Sequence, residues 1–136
     1  DLYAGSGALG LEALSRGAAT ATFVDSARRA TIAITENVAA LGVAPHVTVL
    51  TRPVMGFVQG TPPRRYDLVF LDPPYAIDGQ EPESVLAALD DGWLAEDAVV
   101  VVERGIRSGT PTWPSGWEVA VSKTYGDTVV DVVYPG

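Results

Sequence analysis

The run Gly5-Ser6-Gly7-Ala8-Leu9-Gly10 constrains the fold more than any other stretch. It spells G-x-G-x-x-G between the short stretch Asp1-Leu2-Tyr3-Ala4 and a helical pattern to about Arg16, with Leu11 and Leu14 facing inward and Gly17 as its stop. Glycines at this spacing reverse the chain tightly from a strand into a helix and let a ligand approach the backbone. The helix start that follows favours anions. The pattern indicates a nucleotide-like cofactor and does not by itself say which one.

The remaining chain repeats the alternation. Apolar runs at 21–24, 47–50, 66–71 and 98–102 read as strands, and helical spacing covers 27–41, 54–59 and 82–89. Residues 118–121 and 128–133 alternate around Tyr125-Gly126-Asp127 and read as a closing hairpin. With Asp1–Ala4 as the first strand, the expectation is an α/β fold in one domain, residues 1–136. Its sheet is doubly wound and mostly parallel, with helices on both faces and an antiparallel C-terminal hairpin. The 136 residues suffice for a real core. The absence of cysteine excludes disulfides and thiolate metal sites and fits a cytoplasmic protein. No metal site is expected, because His46 has no partner pattern. No stretch is apolar enough to span a bilayer, and no signal peptide is visible. A net charge of −8 argues against non-specific nucleic-acid binding but leaves room for a local basic rim.

Asp25, at the end of the second strand, lies where an acid would grip a ribose, and Ser26 is placed to cap the next helix. Asp1 discriminates between cofactors. An acid ahead of the glycine turn is awkward for a pyrophosphate and suits a cation. S-adenosylmethionine carries an α-ammonium and a sulfonium. A nicotinamide-dependent oxidoreductase, the alternative from another class, would usually need a second, substrate-binding domain.

Val69-Phe70-Leu71-Asp72-Pro73-Pro74-Tyr75 is the second informative stretch. A buried strand ends in an acid, two prolines set a rigid exit, and an aromatic follows. Asp72 and the Pro73 carbonyl offer acceptors, and Tyr75 offers a stacking face. Two acceptors beside a platform suit a planar ring with an exocyclic amine.

The wording Asp1-Leu-Tyr-Ala-Gly-Ser-Gly-Ala-Leu-Gly-Leu-Glu-Ala-Leu-Ser-Arg-Gly-Ala18, then Asp72-Pro-Pro-Tyr75 and Tyr125-Gly-Asp-Thr128, resembles the RsmD family of bacterial 16S ribosomal RNA guanine-N2 methyltransferases. The resemblance covers essentially the whole chain. It implies a Rossmann-like class I methyltransferase with a seven-stranded sheet, and S-adenosylmethionine as cofactor. Cofactor contacts then fall on Asp1, Ala4, Gly5, Ser6, Gly7, Asp25 and Ser26, and the target amine on Asp72, Pro73, Pro74 and Tyr75. Many relatives carry an acid after the third strand. Here the chain reads Thr51-Arg52-Pro53-Val54, so adenine recognition is expected from backbone groups at Arg52 and Pro53. The resemblance also implies a basic hairpin segment and a helix ahead of the first motif, and this chain, opening at Asp1, is expected to lack them.

Ligands of such a sheet sit beyond the carboxyl ends of the parallel strands. Arg104, Arg107, Lys123 and Tyr125 fall at that edge and are the candidate RNA contacts; Arg16, Arg64 and Arg65 fall at the other. The expected partner is ribosomal RNA within the small subunit, met by a monomer without membrane attachment. A sibling reading is amino-methylation of adenine, cytosine or glutamine. A non-catalytic RNA-binding factor is a further reading, and the intact Asp72 argues against it.

Overall fold

The computed structural model describes residues 1–74 and 80–136. They form two compact units, Asp1–Phe57 and Val58–Gly136.

In the first unit, α1 (Ala8–Ser15) follows the glycine turn. Next come β1 (Ala21–Asp25), α2 (Arg28–Leu41), a 3-10 turn at Ala44–His46, β2 (Val47–Thr51) and α3 (Val54–Val58). β1 and β2 pair in parallel from Ala21 opposite Val47 to Asp25 opposite Thr51. A parallel pair needs a crossover, and α2 supplies it. Its inward stripe, Ile34 and Val38, closes on Phe23 and gathers Ala4, Leu11, Val47 and Val49 around it. Leu41, in the last turn before left-handed Gly42, stays exposed although its spacing matches the stripe. Thr31 is buried instead, its hydroxyl 2.8 Å from that of Thr51.

Gly10 lets α1 sit directly on β1. A Cβ at this position would lie 2.4 Å from Phe23 Cε1 and 2.8 Å from Cζ. Phe23 is fully buried, so its ring has no free side to move into. Gly10→Ala should therefore destabilise the protein by about 1–3 kcal/mol, the usual range for overpacking. The readout is a lower denaturant midpoint at unchanged slope. A loss below about 0.5 kcal/mol, the scale of neutral surface changes, would show that the ring can yield.

The second unit contains β3 (Tyr66–Leu71), α4 (Glu81–Leu89), β4 (Leu94–Gly105), a 3-10 turn at Ile106–Ser108, β5 (Glu118–Tyr125) and β6 (Thr128–Tyr134). The strand order is β3-β4-β6-β5. β3 and β4 are parallel, and β6 is antiparallel to both β4 and β5. The buried apolar residues include Val69 and Leu71 of β3, Ala98, Val100 and Val102 of β4, Val129 and Val133 of β6, and Val85, Leu86 and Leu89 of α4. Two tryptophans join the packing. Trp93 stacks on Tyr66 with ring centroids 6.2 Å apart, and Trp117 Nε1 donates to Asp90 Oδ1 at 2.8 Å. β4 starts four residues before the apolar run at Ala98, because Leu94 pairs with Tyr66 across an irregularity in the ladder.

The alternation of strands and helices agrees with the sequence, and the hairpin closes the chain as expected. The strand count does not agree. Among the described residues there are six strands, in ladders of two and four, rather than seven. Asp1–Ala4 makes only one parallel bridge, Leu2 with Val24. Tyr3 at φ 60° and Gly5 at φ 58° carry the backbone out of the extended region, so the ladder stops there. Strand direction does agree within each unit: β1 and β2 are parallel, and in the second unit β6 alone runs against β3, β4 and β5.

Candidate functional site

In the first unit, Asp1 Oδ2 accepts the Gly10 N–H at 3.0 Å. Gly10 lies in the first turn of α1, where backbone N–H groups have no partner within the helix. The helix start therefore already holds a carboxylate. A pyrophosphate brought there would meet like charge, whereas an ammonium would be attracted. Gly7, at φ 84°, donates to the Ala4 carbonyl at 2.8 Å and closes the turn. At Gly5 a Cβ would meet nothing within 4 Å, which leaves the backbone open to an approaching ligand. Asn37 Nδ2 donates to the Ser6 carbonyl at 3.1 Å and holds the turn against α2.

Asp25 orders the far side of this cradle. Its Oδ2 accepts from Gly5 N and its Oδ1 from Ala27 N, both at 2.9 Å. The i, i+2 bond from Ala27 fixes the approach to α2, whose N-cap is Ala27 and not Ser26 and which has no side-chain cap. The two N–H bonds fix the carboxylate orientation and leave each oxygen a further lone pair, which suits vicinal ribose hydroxyls. Arg52 adjoins through its backbone, with its N–H 3.0 Å from the Asp25 carbonyl. Its guanidinium is turned onto the Phe57 ring, 5.8 Å from the centroid. The Pro53 carbonyl is occupied by the Phe57 N–H at 3.1 Å. Asp1, Ala4, Gly5, Ser6, Gly7 and Asp25 thus fit a cationic nucleoside cofactor.

In the second unit, Asp72 leaves β3 one step beyond Leu71, which pairs with Val102. The next residue of β4 is Glu103. Parallel neighbours in register point to one face, so Asp72 and Glu103 stand side by side. Asp72 is exposed as a residue, but partial burial of its carboxyl and the like charge of Glu103 together push its pKa up to about 6. Desolvation is the larger cause. Tyr75, the expected stacking platform, lies outside the described residues.

The register sorts the basic residues by face. Glu103 pairs with Val130, and Val130 with Lys123. Lys123 therefore shares the face of Asp72 and Glu103, and so does Tyr125 two residues on. Both are exposed, as is Arg107 in the turn after β4. Arg104 points to the opposite face. Its Nε donates to Asp131 Oδ2 at 2.9 Å and its Nη1 to the Gly109 carbonyl at 2.9 Å. It helps line a cavity of about 110 Å³ with Pro73, Pro74, Val102 and Glu83.

Sequence reasoning missed Glu103 and Asp131. Asp131 is 2% exposed, between Arg104 and the Ser122 hydroxyl at 2.7 Å. The signal was available: Val129, Asp131 and Val133 share one alternation phase, so an acid on a core-facing register required a buried partner.

The fold is the Rossmann-like α/β fold of class I methyltransferases. A ribosomal protein L11 methylase from Lactobacillus delbrueckii subsp. bulgaricus superposes with a TM-score of 0.76 at 17% identity, over 100% of this chain and 69% of that one. The solved structure of Escherichia coli yhhF, which carries a methyltransferase name, gives a TM-score of 0.87 at 37% identity, over 98% of this chain and 75% of that one. The chain belongs to the family described as Conserved hypothetical protein 95, the RsmD family, whose model matches residues 1–134. Ribosomal RNA small subunit methyltransferase D of Escherichia coli strain K12 is 40% identical over 128 residues, 93% of this chain and 62% of that protein. The protein of the same name from Haemophilus influenzae is 31% identical over 130 residues, 93% of this chain and 65% of that protein. The chain thus spans somewhat less than two thirds of these relatives.

Proposed function

We propose that this chain carries the methyl-transfer chemistry of an enzyme that modifies the exocyclic N2 amine of a guanine in small-subunit ribosomal RNA, acting as a cytoplasmic monomer with S-adenosylmethionine as donor. One observation carries the choice of cofactor. The start of α1, which a pyrophosphate would need, is taken by the Asp1 carboxylate on Gly10 N–H. The names of the relatives support the RNA substrate.

S-adenosylmethionine, when bound, supplies an electrophilic methyl group on a sulfonium. Asp1 would attract its ammonium, Gly5 and Gly7 would admit it against the backbone, and Asp25 would accept its ribose hydroxyls. Arg52 and Pro53 would border the adenine. Asp72 and the Pro73 carbonyl would accept the two N–H bonds of the target amine, which aims the nitrogen lone pair and stabilises positive charge developing there. Pro74 would hold that geometry rigid, and Tyr75 would stack on the extruded base, returning about 1–3 kcal/mol against the cost of unstacking. Lys123 and Arg107 would contact phosphates, with Tyr125 on the face of Lys123, and the N–H groups of Arg104 left over from its internal bonds would do so from the opposite face.

The cofactor assignment has a direct test. S-adenosylhomocysteine should raise the melting temperature by mass action and NAD should not. Asp25→Ala should weaken S-adenosylhomocysteine at least about tenfold in calorimetry, since hydrogen bonds to a charged group contribute about 1.5–3 kcal/mol each. Unchanged affinity, or tight NAD binding, would overturn the assignment. The substrate is tested by radiolabelled methyl transfer from the full-length protein to small-subunit particles of cells lacking it. N2-methylguanosine at one position is the expected product in mass spectrometry. N6-methyladenosine, N4-methylcytosine or labelled protein would move the enzyme to the sibling class.

A further inference from the structure

The second carboxylate at the end of β4 has no assigned role. Glu103 is half-buried, and no described residue donates a hydrogen bond to it. It stands one register step beyond the Leu71–Val102 pair, level with Asp72. Neighbouring strands lie roughly 4.8 Å apart, so two carboxylates in this position can converge on adjacent donors of one ligand edge. Such an arrangement is unfavourable when empty, because like charges meet in a partly desolvated place. The raised Asp72 carboxyl reports that cost. The nearest cation in the same row, Lys123, is two strands away, across Val130. The Arg104 guanidinium, next in sequence, points to the other face and is bonded to Asp131. Neither cation pairs with Glu103.

We infer that Glu103 is a specificity-determining residue that accepts the ring N1–H of the guanine whose N2 amine Asp72 holds. The inference rests on the methyltransferase reading above and deepens it. Guanine is the base that presents an N–H donor next to its exocyclic amine on the Watson–Crick edge. Adenine presents the lone pair of N1 beside its amine, cytosine the lone pair of N3, and a glutamine side chain its carbonyl oxygen. Each would set an acceptor against Glu103 and leave the carboxylate facing a lone pair. Sites built to bond a donor reject analogues lacking it far more strongly than apolar pockets reject a methylene. One acid would therefore hold the reacting amine, and its neighbour would read the base.

The test uses 2-aminopurine, which keeps the N2 amine, lacks O6 and has a lone pair in place of N1–H; the Glu103→Gln comparison separates the N1 contact from any contact to O6. Small-subunit RNA carrying guanine or 2-aminopurine at the methylated position is offered to the full-length protein with S-adenosylmethionine. The wild type should prefer guanine by at least about tenfold in kcat/KM, consistent with one unpaired hydrogen bond. Glu103→Gln turns an acceptor into a group that can also donate, and should narrow that preference at least about fivefold. Its S-adenosylhomocysteine affinity should stay at the wild-type value, and its melting temperature should not fall, because the variant removes a like charge beside Asp72. Equal wild-type rates on the two substrates would overturn the inference whatever the variant does. An unchanged preference in a folded Glu103→Gln variant would do the same. If no N2-methylguanosine forms with the guanine substrate, the function itself is wrong, which mass spectrometry of the product separates from failure of the Glu103 role.

Discussion

Asp72→Ala should lower methyl transfer by the full-length protein about 10²–10³-fold, the scale for removing one preorganised charge-stabilising contact from a transition state. The loss should fall on kcat as well as kcat/KM, because positive charge appears on the amine only as the bond forms. S-adenosylhomocysteine affinity should change little, since its proposed contacts are Asp1, Gly5 and Asp25, in the other unit of the chain. The same carboxyl sets a pH profile. It must be ionised to offset the positive charge developing on the amine whose N–H it accepts, and its carboxyl is pushed up to about 6 in the folded protein. Activity per free enzyme, kcat/KM, should therefore rise through pH about 6 and level off above it. Stability runs the opposite way. Between the ordinary 3.8 and about 6 the folded state keeps a proton that the unfolded state has lost. The Asp72 contribution is thus fully present below 3.8 and disappears as pH rises through about 6. Asp72→Asn should remove that decline from the stability profile while still impairing transfer. Retention of wild-type kcat in Asp72→Ala, or a flat rate between pH 5 and 8, would rule out the amine-holding role.

The second large effect concerns stability. Arg104→Ala should destabilise the protein by about 3–5 kcal/mol, because it leaves a buried carboxylate without its counter-charge. Asp131 is 2% exposed, so its carboxylate depends on the Arg104 guanidinium for its counter-charge. The Ser122 hydroxyl, at 2.7 Å, is the other donor left to it. Removing both charges should cost much less than removing one. Arg104→Met with Asp131→Leu replaces the pair by apolar groups of similar size, and such swaps are often neutral or better. Chemical denaturation of the two variants measures the contrast. An Arg104→Ala loss below about 1 kcal/mol, the range of exposed pairs, would mean that the ion pair behaves as a surface contact. An intact domain with weaker RNA binding would instead favour the phosphate role for Arg104.

Much of this protein is written locally. The glycine turn, the helical stripe of Ile34 and Val38, the four-residue apolar runs and the Tyr125-Gly126-Asp127 hairpin each follow from backbone sterics and periodicity within a few residues. So does the Asp72-Pro73-Pro74 exit, whose direction proline sets by itself. The acid at the start of α1 was legible for the same reason, because Asp1 and Gly10 belong to one short motif. What remained hidden depends on which residues of distant segments come level with one another. Leu2 pairs at a single bridge because Tyr3 takes a left-handed φ, a choice that nothing in its neighbours announces. Arg104 looked like a free cation at the active edge. Only the β4–β6 register reveals that its partner is Asp131, 27 residues later, on the opposite face. Glu103 became visible only when β3 and β4 were aligned and set it beside Asp72. Strand register converts sequence separation into contact, and because side chains alternate, one residue of shift reverses every face. The sequence by itself therefore determined the elements, the turn chemistry and the two motifs. The tertiary structure alone decided which charges meet.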